Sequence, residues 1–320
     1  MTGVYVYEFA IGMGPKIWGT KKGETDYSIR AIPIGGFCAL AGEDVDDDDL
    51  KKIPEDRRLQ SKTPFQRFLI MFFGAGNNFI YAILLLFFIA LVFGGTTMNP
   101  TLTKVVNDSA AYNAGMDAGD TVIKLNGKKV TTNDDLSLYL ALSDPTKKNT
   151  FVVKKKDGTI KTYKVQPKKV KEKGEVSYVY GIEIKQEKTH GIGQAFVYTF
   201  KKTCSMFKQM GVTVGALFTG GVKLSQMSGP VGIYSIVGEQ SKAGLASLLY
   251  LTAFLSINVG FINLLPIPAF DGCHILFIII EKLKGSPVSP EFQNKLSVAG
   301  LALLMLLMVV ITINDIIRLF

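Results

Sequence analysis

The chain has 320 residues, 48% of them hydrophobic, a net charge of +9 and a mean hydropathy of +0.25, a balance that suits a small multi-pass membrane protein with a soluble insert. The basic excess does not indicate nucleic acid, because Lys and Arg in cytoplasmic loops also orient membrane proteins, and no nucleic-acid motif is present. Cys38, Cys204 and Cys273 have no paired spacing that suggests a disulfide framework or a zinc knuckle.

Residues 1–42 are glycine-rich and β-patterned. Tyr27, Ile29 and Ala31 alternate with Ser28 and Arg30, as in a half-buried strand; the stretch resembles a membrane-associated β-hairpin of a known family, a resemblance that implies a turn at Gly12-Met13-Gly14. A charged stretch followed by an apolar run is missing ahead of it, so no signal peptide is expected. Residues 43–67 are charged, from the acidic run Glu43–Asp49 to Lys62 and Arg67. The acidic run lacks calcium-loop spacing and reads as a solvated linker, while its basic end places the next helix start in the cytoplasm.

From Phe68 to Phe93 there is no charge, and 26 helical residues reach about 39 Å, enough to cross a bilayer with tilt. The cluster Gly74-Ala75-Gly76-Asn77-Asn78 lets another helix approach closely, with Asn78 either bonding across that contact or serving as packing glue.

Residues 100–187 change to short strands and Lys-rich turns, including a hairpin turn at Lys154–Gly158. Within them, Ser109-Ala-Ala-Tyr-Asn-Ala114-Gly115-Met-Asp-Ala-Gly119-Asp120, followed by Asn126-Gly127, resembles the bacterial PDZ-domain signature. A PDZ domain captures extended peptides at a sheet edge, and it also serves as a steric filter against bulky substrates; both readings stay open. Residues 193–242 scatter Lys201, Lys202, Lys208 and Lys223 among apolar residues, which predicts a membrane-surface amphipathic helix rather than a crossing.

Between Ala243 and Ile280 the only charged residue is Asp271. The stretch is too long for one straight crossing, and Pro266, Pro268 and Gly272 mark where it breaks. Irregular backbone at membrane depth survives only where protein or a wet cavity satisfies it, and a charge in lipid costs at least ~2.5–3.5 kcal/mol. Asp271 therefore reads as functional, or as an N-cap for a helix beginning at Gly272. A positive loop around Lys284 and a final apolar run of 19 residues, Leu296–Asn314, complete three crossings.

The run Asn263-Leu-Leu-Pro266-Ile-Pro268-Ala-Phe-Asp271-Gly272 resembles the Asn-x-x-Pro-x-Pro-x-x-Asp-Gly motif of the site-2 proteases, the bacterial intramembrane zinc metalloproteases. The resemblance extends to the hairpin, with Gly12 and Gly14 and the later Pro33-Ile-Gly-Gly36. It also covers Gly74 and Asn78, where Ala75 departs from the usual Pro, and Leu224–Ile233. It implies that Asp271 is a ligand of Zn2+ and that Asn258, Asn263, Gly12 and Gly14 hold the substrate strand.

The implied fold is a multi-pass α-helical membrane protein with an N-terminal membrane-associated β-hairpin and an inserted α/β PDZ domain. Its parts are the hairpin and cytoplasmic linker (1–64), a transmembrane helix (65–96), an extracytoplasmic PDZ-like domain (97–187) and a juxtamembrane amphipathic segment (188–242). The broken segment (243–284) and a last transmembrane helix (294–320) follow. The implied activity is intramembrane proteolysis of membrane-protein substrates of the anti-sigma-factor or signal-peptide-remnant type, in the bacterial cell membrane, with lipid and no nucleic acid as further partner.

One family element is not found. The His-Glu-x-x-His helix supplies two zinc ligands and a general base, yet the two histidines here, His190 and His274, lie in no such motif, and Glu8 has no flanking histidine. In the family that helix precedes the hairpin, so the expectation is either an N-terminally truncated sequence, inactive alone, or a paralogue that lost catalysis. Truncation is favoured because a paralogue freed from zinc gains nothing from a buried Asp271. His274 is expected to be packed, and Cys273 stands where the family commonly has a second Gly. Two other classes compete: a non-catalytic PDZ-containing adaptor, and a small transporter, which the lack of an inverted repeat weakens.

Overall fold

The computed structural model describes residues 2–42, 50, 52–172, 175–220 and 229–317; the acidic run Glu43–Asp49 and the Leu224–Ser228 part of the second motif lie outside them. The chain divides into two compact units, Met1–Asn78 with Val259–Val310 and Phe79–Asn258 with Ile311–Phe320.

Two long strands open the chain, β1 (Val6–Lys22) and β2 (Thr25–Leu40), antiparallel and reversing at Gly23-Glu24. Their register is doubled. Phe9 pairs with both Cys38 and Tyr27, and Ile11 with both Gly36 and Ile29, while Trp18 pairs with Ile29 from the other side. Two strands thus supply four adjacent extended runs, ordered 16–22, 25–30, 6–11 and 36–40. The expected turn at Gly12-Met13-Gly14 is corrected: these residues form a bend within β1, and the chain reversal comes eleven positions after Gly12. Both glycines have positive φ, and a Cβ on Gly12 would lie 2.6 Å from the Ile32 carbonyl oxygen, so the fold-back needs glycine there. After two short turns at Glu55–Arg57 and Leu59–Ser61, α1 (Pro64–Ile89) starts at a capping box. The Gln66 amide donates to Thr63 Oγ1, the Thr63 amide donates to Gln66 Oε1, and Pro64 occupies the first position, where no donor is wanted. A wider turn, Ala90–Gly94, ends it.

The second unit is built around an α/β domain. Its elements are β3 (Gly95–Thr96), β4 (Lys104–Val105), α2 (Ala110–Asn113), β5 (Thr121–Leu125), β6 (Lys128–Lys129), α3 (Asn133–Ala141), β7 (Asn149–Lys154), β8 (Ile160–Val165), β9 (Lys168–Glu172), β10 (Glu175–Val179), β11 (Ile182–Glu183) and β12 (Lys188–Thr189). The main antiparallel sheet has the order β6-β5-β7-β8, and β4 pairs with β11 and β3 with β12, so chain-distant ends close the domain. Its core is Leu102, Met116, Val122, Leu125, Leu136, Phe151, Val153 and Val165. Asn126 and Gly127, both at positive φ, turn β5 into β6, and the Lys154–Gly158 turn joins β7 to β8 as expected.

Next come α4 (Ile192–Phe218), α5 (Pro230–Ala243) and α6 (Leu245–Asn263), the last passing into the first unit from Val259. The region read as one amphipathic helix therefore holds two, the first ending at Phe218 and the second beginning at Pro230 behind Gly229. Met206 of α4 packs with Ala82, Leu86, Ala253 and Ile257. The remaining helices are α7 (Asp271–Lys284) and α8 (Pro290–Ile317). Among the described residues, three helical stretches are long and apolar enough to cross a membrane: Pro64–Gly94, Leu245–Asn263 and Glu291–Ile317.

Candidate functional site at the proline turn

The break predicted from Pro266 and Pro268 is a tight turn between α6 and α7. The Phe270 amide donates to the Ile267 carbonyl at 3.2 Å, with Pro268 and Ala269 between them and Ala269 at φ +78°. Proline second and a positive φ third are the marks of a type II turn, whose third position favours glycine. Ala269 holds a left-handed conformation that costs an alanine roughly 1–2 kcal/mol, strain that the surrounding packing must maintain.

That packing uses close backbone approach. A Cβ on Gly272 would lie 2.3 Å from the Leu265 carbonyl oxygen, and one on Gly300 of α8 would lie 2.6 Å from the Pro268 carbonyl oxygen. The turn is thus wedged against α8 at one glycine and against the end of α6 at another. Asp271 becomes the first residue of α7, with Phe270 as the N-cap, so Asp271 is not the N-cap of a helix starting at Gly272. Its half-buried carboxylate sits at the positive end of the helix dipole. Gly74 of α1 makes room for it: a Cβ there would be 3.0 Å from Asp271 Oδ2. Two features noticed separately in the sequence, the small-residue cluster and the acidic residue, therefore meet.

His274 lies one helical turn beyond Asp271, half-buried, its ring edge-on to Phe277 at 6.2 Å. Together with Met71, Phe277 and Ser297 it lines a cleft of about 520 Å³, where Arg67 pairs with Glu281 at 2.5 Å. Asn263 closes α6 just before the turn. Asn258 lies five positions earlier and therefore projects in another direction, and its Oδ1 is buried with no hydrogen-bond partner among the described residues. Gly12 and Gly14 serve the bend of β1. Glu8 is committed elsewhere in the hairpin: hydrogen bonds from Arg30 and Ser28 hold its carboxyl below the usual range, and Arg30 Nη2 reaches Oε2 at 2.7 Å. His190 packs onto Gly94.

Sequence reasoning passed over Asp315. It is buried near the end of α8 and accepts the Gly232 amide at 2.8 Å, tying down the start of α5. Its only signal was an acidic residue directly after an apolar run.

Among the described residues, no three His, Cys, Asp or Glu side chains gather as metal ligands. Catalytic zinc takes three protein ligands and a water. The described residues fit one corner of such a site, Asp271, and do not by themselves complete it.

The family model of peptidase family M50 matches residues 1–307. A Clostridium perfringens protein named as a zinc metalloprotease is 37% identical over 99% of this chain and 91% of its own length. The regulator of sigma-W protease RasP of Bacillus subtilis is 31% identical over 99% of this chain and 92% of its own. The zinc metalloprotease RasP of Bacillus licheniformis is 31% identical over 99% and 93%. With the proline turn, the acidic residue behind it and a match over nearly the whole length, the chain belongs to peptidase family M50, the site-2 proteases.

Proposed function

We propose that this chain is an intramembrane zinc metalloprotease that cleaves transmembrane segments of membrane proteins, with substrates of the anti-sigma-factor or signal-peptide-remnant type. The observation that carries the reading is the seating of Asp271 at the head of α7 against Gly74, behind a strained turn that packing with α8 maintains. Relatives named for zinc and for sigma-W regulation support the cofactor and the substrate class. In this reading Asp271 is one zinc ligand, and no chemical step is traced through the metal.

The chain's own residues prepare the substrate. A helix hides its amides in internal hydrogen bonds, so a protease must hold the scissile segment extended. The outer runs of the doubled hairpin, 16–22 and 36–40, offer sheet edges for that purpose. Asn258, whose buried oxygen has no partner among the described residues, and Asn263 at the end of α6 supply amide groups that hold an extended strand. The α/β domain is read as an extracytoplasmic PDZ-like domain, a peptide binder or a size filter, carried on a multi-pass protein of the bacterial cell membrane.

A second reading is a non-catalytic PDZ-containing adaptor of the same family. It is favoured by one observation, that the described residues bring together no three metal ligands. Reconstituting the chain, supplied with the family's His-Glu-x-x-His helix, with a single-pass membrane substrate separates the two. The protease reading predicts cleavage within the spanning segment that Asp271→Ala abolishes, whereas the adaptor reading predicts substrate binding without cleavage in both forms.

A further inference from the structure

The main sheet of the α/β domain has one side in the core and one in solvent. Lys124 of β5 is paired with Lys129 of β6 and with Val152 of β7, so these three share a side. Side chains alternate along a strand, so Thr150 and Lys154 join Val152 there, and Lys164 of β8 joins as the partner of Thr150. Leu125, Phe151 and Val153 point the other way, into the core. Lys124, Lys129, Lys154 and Lys164 are all exposed, and neither Asp nor Glu stands on their side of the four strands.

Elsewhere in the second unit lysines are matched with acids: Lys104 with Glu183, Lys155 with Asp117 and Asp120, Lys202 with Asp134, and Lys208 with Asp135. The four on the sheet have no ion-pair partner among the described residues. Lysines on edge strands keep sheets from pairing with one another, which accounts for Lys129 and Lys164 on β6 and β8. It does not account for Lys124 and Lys154, which lie on the inner strands. Lys124 and Lys129 are moreover like charges directly opposite each other, an arrangement that weakens a sheet and that a bound anion relieves.

We infer that this side of the sheet binds a linear polymer of repeating phosphate groups. The four lysines lie on four successive strands, roughly 14 Å across at about 4.8 Å per strand. That spread suits several charges on one flexible chain rather than a single anion. Lysine meets phosphate as a point charge, and the Thr162 hydroxyl, beside Val152 on the same side, adds a donor for phosphate oxygen. An acidic peptide added to a sheet runs along an edge strand, whereas these charges run across the strands. The inference is independent of whether the chain cleaves anything.

The test is the fluorescence anisotropy of end-labelled inorganic polyphosphate titrated with the full chain in phosphatidylcholine nanodiscs. The expected result is binding that weakens steeply as ionic strength rises. Lys124→Gln/Lys154→Gln should weaken it several-fold and make the salt dependence shallower, with unchanged circular dichroism. Lys161→Gln/Lys185→Gln removes the same charge from the core side of β8 and from the loop after β11, and should leave the binding nearly unchanged. Equal losses in the two variants would reduce the effect to net charge and overturn the inference. So would polyglutamate competing as well as unlabelled polyphosphate, which would assign the face to an acidic polypeptide, or orthophosphate doing so at equal phosphate concentration, which would assign it to a single anion. If the difference between the parent and Lys124→Gln/Lys154→Gln vanishes in discs of phosphatidylglycerol, the face belongs to lipid headgroups and the polymer is rejected.

Discussion

The α/β domain and the proline turn hold their shapes by opposite means. The domain has an ordinary core, in which Phe151 and Leu125 are fully buried, and polar ties complete its loops. Lys155 bonds to the Gly115 carbonyl at 3.0 Å and to Asp117 and Asp120 at 2.8 and 2.9 Å. Burial alone would lower the Lys155 pKa, but those two carboxylates outweigh it and raise it. The turn is held differently. It relies on carbonyl groups pressed against glycines, and it carries a strained alanine. A core tolerates rearrangement around a lost contact, whereas backbone against backbone leaves nothing to move.

The largest expected effect tests the core side of that contrast. Phe151→Ala should cost about 3–5 kcal/mol and remove amide-exchange protection from β5, β7 and β8 together, since the cavity it leaves is shared by the sheet. Exchange lost only next to residue 151 would mean that the domain is not one cooperative unit.

On the other side, Gly272→Ala should cost about 1–3 kcal/mol or more in thermal unfolding in detergent, because the new methyl meets two carbonyl oxygens. Gly285→Ala is the control. Gly285 is left-handed but faces open space, so only its backbone preference is lost, roughly 1 kcal/mol. If the two variants melt alike, steric wedging of the turn is refuted.

Much of this contrast was readable beforehand. Pro266, Pro268 and Asp271 announced a break with an acidic residue behind it, and the Ser109–Asp120 pattern announced the small α/β domain, because proline, glycine and capping chemistry act locally. The doubling of the hairpin was not readable. It depends on Phe9 and Ile11 each finding two partners, and alternation along β1 is the same whether a strand has one neighbour or two. Nor were Gly74 and Gly300 legible as partners of Asp271 and Pro268, since such approaches join helices far apart in sequence. His274 was expected to be packed, and it is, though it also lines a cleft.

A pH experiment sharpens the comparison further. Burial would raise the Asp135 pKa, but hydrogen bonds from Lys208 and Thr131 outweigh it and lower it. A carboxylate with a depressed folded pKa stabilises fully above its unfolded value of about 3.9, and that contribution is lost as pH falls from there through the folded pKa. The α/β domain should therefore lose stability in acid below that value, and Asp135→Asn should remove part of the dependence. An unchanged acid limb in the variant would show that the bond to Lys208 contributes nothing.

The smallest effect concerns the turn itself. Ala269→Gly relieves the left-handed strain and should raise the melting temperature slightly, a gain of no more than about 1–2 kcal/mol offset by chain entropy. A clear loss would mean that the Ala269 methyl makes contacts more important than its strain.

The most direct measurement is the zinc bound per chain after purification in detergent, compared between the parent chain, Ala269→Gly and Asp271→Ala, each supplied with the family's His-Glu-x-x-His helix. The account predicts that the parent and Ala269→Gly carry zinc and that Asp271→Ala carries a small fraction of it. Equal zinc in the parent and Asp271→Ala, whether present in both or missing from both, would contradict the role given to Asp271.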